Sequence, residues 1–254
     1  MKVFKIGGNV IDNKEALDKF LQDFAKVQGP KILVHGGGKL ASKLASDLGV
    51  EVKMNQGRRI TDDKMLDVVT MVYAGLINKN IVALLQSNGE NAIGMSGADA
   101  NVIKAKRREN SEIDYGNVGD VENVDADTLL YFSKKGITPV LSAITHDKKG
   151  SLLNTNADTI ASEVARACSA FTETELIYVF ELDGVMEDIN KPESLITEIN
   201  LDKYKSLKNN GVIVDGMIPK MDNSFDAIKN GVKLVRIVGP DYVSDQNKKH
   251  TVLN

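Results

Sequence analysis

The 254-residue sequence contains one cysteine, three histidines and no tryptophan. Cys168 cannot form an internal disulfide, and its apolar surroundings, ASEVARACSA, predict a buried structural thiol. The histidines, His35, His146 and His250, are scattered and lie near no cysteine, so a structural zinc site is not expected. The scarcity of cysteine therefore excludes a fold that depends on internal disulfides.

The sequence also lacks an excess of either charge. Its 32 Lys and Arg residues stand against 35 Asp and Glu residues, and the formal net charge is −3. This balance predicts no attraction to nucleic acid or membranes, although a local basic site for a small anion remains open. The basic cluster KAKRRE has no interleaved aromatic residues and is typical of a solvated hairpin tip.

The amino terminus, MKVFKIGGNVID, reaches two glycines before any signal-peptide core, so a secretion signal is not expected. No segment approaches the ~20 consecutive apolar residues that a membrane helix needs. We therefore expect a cytoplasmic protein with no membrane partner.

Strand and helix patterns alternate from the start of the chain. KVFKIGG and PKILVHGGG predict strands that end in glycine turns, and each is followed by a segment with helical spacing of its apolar residues. This order predicts an α/β fold, with an open, mostly parallel sheet between helix layers. No flexible linker is visible, so two lobes would meet at a compact boundary, which we place near Phe171.

A long apolar segment follows Thr61, which is a good N-cap residue with acids directly after it. From Met65 to Leu85 the predicted helix is apolar around most of its circumference, which indicates burial on more than one side. Two interpretations are open: a central core helix, or a helix packed against a second subunit.

The segment VHGGGKLAS raises the question of which phosphate a glycine turn would hold. A P-loop needs the pattern G-x-x-x-x-G-K-[ST]. Here Leu33 stands in place of the first glycine, and Leu40 stands in place of the hydroxyl residue after Lys39. The P-loop interpretation is therefore excluded.

The dinucleotide pattern G-x-G-x-x-[GA] fits Gly36, Gly38 and Ala41 better. It also requires an acid about 20 residues later, and KMNQGRR contains none. An NADP-type site, in which Arg58 or Arg59 holds a 2′-phosphate, remains open.

A third interpretation uses both glycine turns, Gly7–Gly8 and Gly36–Gly38. Backbone N–H groups and helix N-termini from both turns would point to one place at the carboxyl edge of a parallel sheet. Two facing anion cradles suit the transfer of a phosphoryl group between two oxygens. Lys5, just before the first turn, would add a cation.

Six motifs in this order resemble the amino acid kinase family over nearly the whole chain: KIGGN, VHGGG, GRRIT, NTNAD, ELDGV and DGMIPK. GRRIT together with NTNAD is similar to the acylglutamate branch rather than to aspartate, uridylate or carbamate kinases. The resemblance implies an N-terminal lobe, residues 1–170, for the amino acid substrate and dimerisation. It implies a C-terminal lobe, residues 171–254, for ATP.

The implied reaction transfers the γ-phosphoryl group of ATP to the side-chain carboxylate of N-acetyl-L-glutamate or a related N-acylglutamate, on the route to arginine. Another family reaction, on a different carboxylate or on carbamate, is the alternative. A glutamate side chain has a pKa of about 4.3, so the nucleophile is ionised at neutral pH and needs no general base. The chemistry therefore depends on positioning and positive charge.

For this transfer, the resemblance implies that Lys5 and Lys220 stabilise the transition state. The backbone N–H groups of Gly8 and Gly37 would cradle the phosphoryl oxygens. Asp158 would organise the two lysines rather than act as a base. Mg²⁺ would bridge the ATP phosphates with few or no direct protein ligands.

For the amino acid, the resemblance implies that Arg59 holds the α-carboxylate, because a guanidinium fork fixes orientation as well as charge. Asn154 would assist, together with the backbone of Gly37 and Gly38. The implied nucleotide pocket comprises Glu181, Asp183, Gly184, Val214, Gly216 and Met217.

Two positions depart from the family pattern: Glu181 stands where Asp is usual, and Thr145 stands where Gly is usual, near the acyl pocket. The acyl group, acetyl or succinyl, is therefore open. The chain begins four residues before Lys5, which leaves no room for the N-terminal helix of arginine-inhibited hexameric members. We therefore expect an arginine-insensitive homodimer that pairs partly through the Met65–Leu85 helix.

Overall fold

The computed structural model describes residues 1–55, 58–109, 112–214 and 216–254. Gly57 and Asp215, each part of a motif named above, lie outside the described residues. The strands are β1 (Lys2–Ile6), β2 (Lys31–His35), β3 (Met54–Asn55), β4 (Arg58–Arg59), β5 (Ala92–Met95), β6 (Ile103–Arg107), β7 (Gly119–Val124), β8 (Thr138–Leu141), β9 (Ile144–His146), β10 (Leu152–Asn154), β11 (Glu175–Val179), β12 (Val185–Met186), β13 (Leu195–Ile196), β14 (Glu198–Ile199), β15 (Leu234–Val238) and β16 (Thr251–Leu253). The helices are α1 (Gly8–Asp12), α2 (Lys14–Lys26), α3 (Gly38–Asp47), α4 (Asp63–Val69), α5 (Asn78–Ser87), α6 (Ala126–Lys134), α7 (Ala157–Ser169), α8 (Leu201–Asn209) and α9 (Met217–Lys229).

The central sheet has the strand order β14–β16–β15–β11–β1–β2–β8–β5. Its paired strands run parallel except for β15 and β16, which are antiparallel. The prediction of an open, mostly parallel sheet is therefore confirmed. The sheet is continuous across the predicted lobe boundary, because β11 pairs directly with β1.

Helices lie on both faces of the sheet. Two neighbouring residues of β1 show this, because successive side chains of a strand point to opposite faces. From β1, Phe4 packs edge-to-face on Phe24 of α2, with ring centroids 5.2 Å apart. The next residue, Lys5, reaches Asp158 on α7, on the other face. Helix α7 contacts α6 and α9, and α2 contacts α5. Cys168 of α7 is fully buried, as predicted, and burial raises the pKa of its thiol to about 12.

A smaller sheet, ordered β10–β9–β6–β7, lies outside the central one. The antiparallel pair β6–β7 forms a hairpin, but the prediction that KAKRRE forms its tip is wrong, because Lys104–Arg107 are paired within strand β6. Beyond this pair, the backbone of Tyr115 and Asn117 bonds to the backbone of Thr61. Gly116 between them has φ +70°, and a Cβ there would lie 2.3 Å from the Thr61 carbonyl oxygen. This close contact holds the hairpin region against the segment that carries Arg59.

The predicted long helix is present as one 25-residue helix, formed by α4, a π-helical segment at Thr70–Ile77, and α5. Its predicted N-cap is wrong. Asp62 caps the helix, because its carboxylate accepts a hydrogen bond from the Met65 backbone N–H at 2.9 Å. The hydroxyl of Thr61 accepts a hydrogen bond from Asn154 instead.

By length and composition alone this helix could cross a membrane, which corrects the expectation that no segment approaches such a length. Its side chains Met65, Val69, Ile81 and Leu85 are nevertheless buried in the protein core. Packing of this kind is typical of a core helix. Met71 and Leu76 remain about half exposed on another side of the helix.

Candidate active site

The centre of the site is an aspartate between two lysines that lie far apart in the sequence. Asp158 Oδ1 lies 2.7 Å from the ammonium of Lys5, and Oδ2 lies 2.8 Å from that of Lys220. Lys5 comes from the carboxyl end of β1, Asp158 from the first turn of α7, and Lys220 from the first turn of α9. The structure thus joins the three residues that the sequence motifs predict to act together.

Burial shapes the charges of this group. Burial alone would raise the pKa of Asp158, but Lys5 and Lys220 outweigh it and hold that pKa well below its ordinary value. Burial lowers the pKa of Lys220, and the carboxylate of Asp158 opposes that shift. The carboxylate is therefore ionised at neutral pH but only weakly basic, and an ammonium group contacts each of its oxygens, which fits an organising role rather than that of a general base.

Two aromatic side chains, one in β11 and one directly after it, form an apolar wall beside the lysines. Tyr178 is paired with Lys5 across the parallel strands, so Tyr178 and Phe180 share the face of the sheet on which Lys5 lies. The ammonium of Lys220 lies 3.8 Å from the centroid of the Phe180 ring, and that of Lys5 lies 5.9 Å from it. Cation–π contacts of this kind hold the two cations without neutralising them.

The two glycine turns lie at the same edge of the sheet, as predicted. Strands β1 and β2 are parallel neighbours, and Ile6 is paired with His35 at their carboxyl ends. Gly8 opens α1 and Gly38 opens α3. Both turns therefore direct backbone N–H groups toward the region beside Lys5.

Gly37 is a position where only glycine fits. Its φ is +148°, and a Cβ there would lie 2.1 Å from Ile77 and 3.2 Å from Tyr73, both in the π-helical segment. The long helix therefore presses directly against the second glycine turn. π-Helical segments are frequent at functional sites.

A buried histidine supports the same turn, which the sequence reasoning did not anticipate. His35 is fully buried, and burial lowers its pKa to about 4. Its Nδ1 lies 2.9 Å from the Gly36 carbonyl oxygen, and its Nε2 lies 3.0 Å from Asn78 Nδ2. A neutral ring that donates from Nδ1 and accepts at Nε2 satisfies both contacts. His35 thus ties the turn to the long helix.

Arg59 lies beside the second glycine turn, buried at 9% exposure. Its Nη2 donates to the Gly38 carbonyl oxygen at 2.9 Å and to the Ser42 hydroxyl at 2.8 Å. Asn154 donates to the Thr61 hydroxyl at 2.9 Å, two residues from Arg59. The structure therefore places Arg59 and Gly38 in contact, with Asn154 connected to them through Thr61.

The residues predicted for the nucleotide lie in different environments. Glu181 accepts a hydrogen bond from Asn9, beside the first glycine turn, at 2.7 Å. Asp183 lies 3.1 Å from the ammonium of Lys248. Gly184 is buried, and a Cβ there would lie 2.4 Å from the Thr251 hydroxyl, so packing explains this glycine.

The remaining predicted nucleotide residues flank the start of α9. Met217 is its first residue, Gly216 is its N-cap, and Val214 is half exposed before it. The first nucleotide segment bonds through Glu181 to Asn9, next to the first glycine turn. Within the described residues, no three His, Cys, Asp or Glu side chains lie close enough together to hold a metal ion.

Thr145, which replaces the usual glycine, is fully buried. Its hydroxyl lies 2.7 Å from that of Thr155 and 3.3 Å from the Leu153 carbonyl oxygen. Both of these contacts lie within the small sheet and its flank, so Thr145 presents its hydroxyl to the protein and not to an open pocket.

Comparison with known proteins agrees with the fold. The model of the amino acid kinase family matches residues 1–239. The chain belongs to the amino acid kinase family. This membership decides against the dinucleotide interpretation of the second glycine turn.

Individual relatives indicate which kinases of this family the chain is similar to. An acetylglutamate kinase from Cytophaga hutchinsonii is 56% identical over 237 residues, covering 92% of this chain and 89% of that protein. An acetylglutamate kinase from Bacteroides fragilis is 52% identical over 237 residues, covering 93% and 91%. The crystal structure of smu.665 from Streptococcus mutans has a TM-score of 0.78 at 26% identity and covers 100% of this chain and 98% of its own.

Proposed function

We propose that this protein phosphorylates the side-chain carboxylate of N-acetyl-L-glutamate with ATP, as a step of arginine biosynthesis. The observation that carries the proposal is the Lys5–Asp158–Lys220 group at the edge where the two glycine turns meet. The acetylglutamate kinases to which the chain is similar support the choice of acceptor. In the reaction, a carboxylate oxygen of the acceptor bonds to the γ-phosphorus as the bond to the β,γ-bridging oxygen breaks, and ADP leaves.

The protein's part in this transfer is to place positive charge where the transition state needs it. We expect Lys5 and Lys220 to contact the equatorial oxygens of the transferring group, while the N–H groups of Gly8 and Gly37 cradle it. Asp158 holds the two ammonium groups apart and orients them toward the transferring phosphoryl group. Because the acceptor carboxylate is already ionised, no residue has to remove a proton.

We propose that Arg59 binds the α-carboxylate of the acceptor. Its contacts with Gly38 and Ser42 hold the guanidinium plane in place, so little side-chain entropy is lost on binding. Asn154 and the backbone of Gly37 and Gly38 would complete the acceptor site. Because the Thr145 hydroxyl is hydrogen-bonded to that of Thr155 inside the protein, it does not select directly between acetyl and succinyl groups.

We assign ATP to residues 171–254, and Mg²⁺ bound with the nucleotide would offset the negative charge of its phosphates. Glu181 and Asp183 follow β11, Val214 and Gly216 precede α9, and Met217 is the first residue of α9. Gly184 lets the loop after β11 pack closely against Thr251. Residues 1–170 would hold the acceptor.

We further propose that two copies pair through the long helix, because Met71 and Leu76 expose apolar surface there. An equilibrium mass measurement that finds only monomer or a hexamer would overturn this pairing. We place the enzyme in the cytoplasm, where ATP is available.

The test of the proposed function is acyl phosphate formation, trapped as a hydroxamate, with Mg–ATP and either N-acetyl-, N-succinyl- or unmodified L-glutamate. We expect product from an acylated substrate and none from free glutamate. Absence of product from all three would contradict the proposal.

A matched pair of variants tests the acceptor site. Arg59→Lys should raise the KM for the acylglutamate at least ~10-fold, since an ammonium cannot keep the contacts to Gly38 and Ser42 and also reach the α-carboxylate as the planar guanidinium can. Arg58→Lys, at the exposed neighbouring position, should leave it unchanged.

A further inference from the structure

One cation at the meeting point of the glycine turns has no assigned role. Lys39 follows Gly38 in the first turn of α3, and its side chain is exposed. Its ammonium donates a hydrogen bond to the side-chain oxygen of Asn9, which directly follows Gly8. The side chain of Lys39 therefore spans from the second glycine turn to the first.

The contact continues toward the lysine group. The amide nitrogen of Asn9 donates to Glu181 at 2.7 Å. Burial lowers the pKa of Lys220, and the negative charge of Glu181 is among the groups that oppose this shift. Lys39, Asn9 and Glu181 are thus joined by successive hydrogen bonds beside the first glycine turn.

A second carboxylate also faces Lys39. Partial burial raises the pKa of Asp12, at the end of α1, and the charge of Lys39 opposes that shift. A Cβ at Gly8 would lie 3.9 Å from the Asp12 carboxylate. The charge of Lys39 therefore lies beside the first glycine turn.

Formal charges show what Lys39 adds. Without it, the two positive charges of Lys5 and Lys220 face three negative charges, on Asp158, Glu181 and Asp12. The transferring phosphoryl group and the acceptor carboxylate are both anionic, so a site with a net negative charge would repel them. The ammonium of Lys39 brings the formal charge of these groups to zero.

We propose that Lys39 is a third cation of the phosphoryl-transfer site, which binds the γ-phosphate of ATP from the side of the glycine turns. The proposal rests on the proposed function. Asn9 orients the ammonium, and Glu181 orients Asn9. Because its contact is with the terminal phosphate, Lys39 should favour ATP over ADP.

The test compares Lys39→Met with Lys43→Met, a matched control one helical turn further along α3 and also exposed. Calorimetry measures the binding of Mg–ADP and of a Mg-bound β,γ-imido ATP analogue to each variant and to the native chain. Thermal melting checks that each variant is folded. Steady-state acyl phosphate formation then gives kcat and the KM for each substrate.

We expect Lys39→Met to weaken binding of the ATP analogue about 10-fold, the usual size of one exposed charge-assisted contact, with ADP binding within about twofold of native. The KM for ATP should rise while that for the acylglutamate stays unchanged. Lys39→Arg should restore most of the loss, and Lys43→Met should match the native chain.

An unchanged affinity for the ATP analogue in Lys39→Met would overturn the proposal. Equal weakening of ADP and the ATP analogue would also overturn it, because that pattern indicates a structural effect. These binding results do not depend on the acceptor. Failure of the proposed function would appear separately, as a native chain that forms no acyl phosphate.

Discussion

Two regions of the molecule contain the same arrangement of charges, an aspartate bonded to two lysines. In one, Asp158 joins Lys5 and Lys220. In the other, the carboxylate of Asp241 lies 2.6 Å from Lys19 and 3.1 Å from Lys248. Side-chain exposure separates them: 8–18% for the first group, against 35–57% for the second.

Burial of the charged groups, and not the pattern of their charges, therefore decides whether such a group can serve as a site. Around Asp158 the aromatic rings of Tyr178 and Phe180 exclude water, so the ammonium groups act at a low effective dielectric. Around Asp241 solvent and salt screen the same charges. The buried group can therefore stabilise a transition state, and the exposed group can do little more than fasten two surface segments together.

The largest expected effect concerns activity. Lys220→Met and Lys5→Met should each lower kcat on the order of 100- to 1000-fold, because each removes a preorganised cation from the transferring group. Lys19→Met removes the same charge from the exposed group and should leave kcat unchanged. Acyl phosphate assays on folded variants measure both, and a Lys220→Met enzyme with more than about a tenth of native kcat would contradict the contrast.

The next effect concerns stability. Asp158→Asn leaves two buried ammonium groups without a counter-charge and should lower the free energy of unfolding by about 3–5 kcal/mol. Asp241→Asn should lower it by less than about 1 kcal/mol, since exposed pairs contribute little. Urea unfolding at neutral pH compares them, and equal losses would remove the distinction between the two groups.

The stability that Asp158 contributes should also depend on pH. The pKa of Asp158 is lowered in the folded state, so its stabilisation is present above the unfolded value of about 3.9 and is lost as the pH falls below it. The stability gap between the native chain and Asp158→Asn should therefore narrow between about pH 4 and pH 2. Urea unfolding at several pH values tests this, and a gap that stays constant would mean that Asp158 does not titrate as the geometry predicts.

The smallest effect concerns salt. Raising NaCl from about 0.05 M to about 1 M shortens the screening length from roughly 14 Å to roughly 3 Å. The small stability loss of Lys19→Met should shrink toward zero over this range, while the loss of Asp158→Asn should persist because its group is buried. Chemical unfolding in low and high salt measures both. Equal salt dependence would contradict the burial argument.

Much of the fold is readable from local patterns. The repeated order of strand, glycine turn and helix predicts the parallel sheet. Each glycine turn lets the chain leave the edge of the sheet, and the helix that follows returns it so that the next strand runs in the same direction. The motif residues Lys5, Asp158 and Lys220 are close in space, although 62 residues separate the last two. Their roles come from the family resemblance, since a single lysine at a strand end carries no signal of its own.

Other features depend on tertiary contacts that no local pattern reports. Thr61 has the residue type of an N-cap, but its hydroxyl is bonded to Asn154, and Asp62 caps the helix in its place. His35 becomes a support for the glycine turn only because Asn78, 43 residues later, reaches it. The sequence signal for His35 was a polar residue inside a buried strand, just before the turn.

The most direct test of the central claim is a crystal structure with Mg–ADP, aluminium fluoride and N-acetyl-L-glutamate, a mimic of the transferring phosphoryl group. We predict the fluoride group between the two glycine turns, with the ammonium nitrogens of Lys5 and Lys220 both within about 3 Å of fluorine atoms. A fluoride group bound elsewhere, or lysines that contact only Asp158, would contradict it.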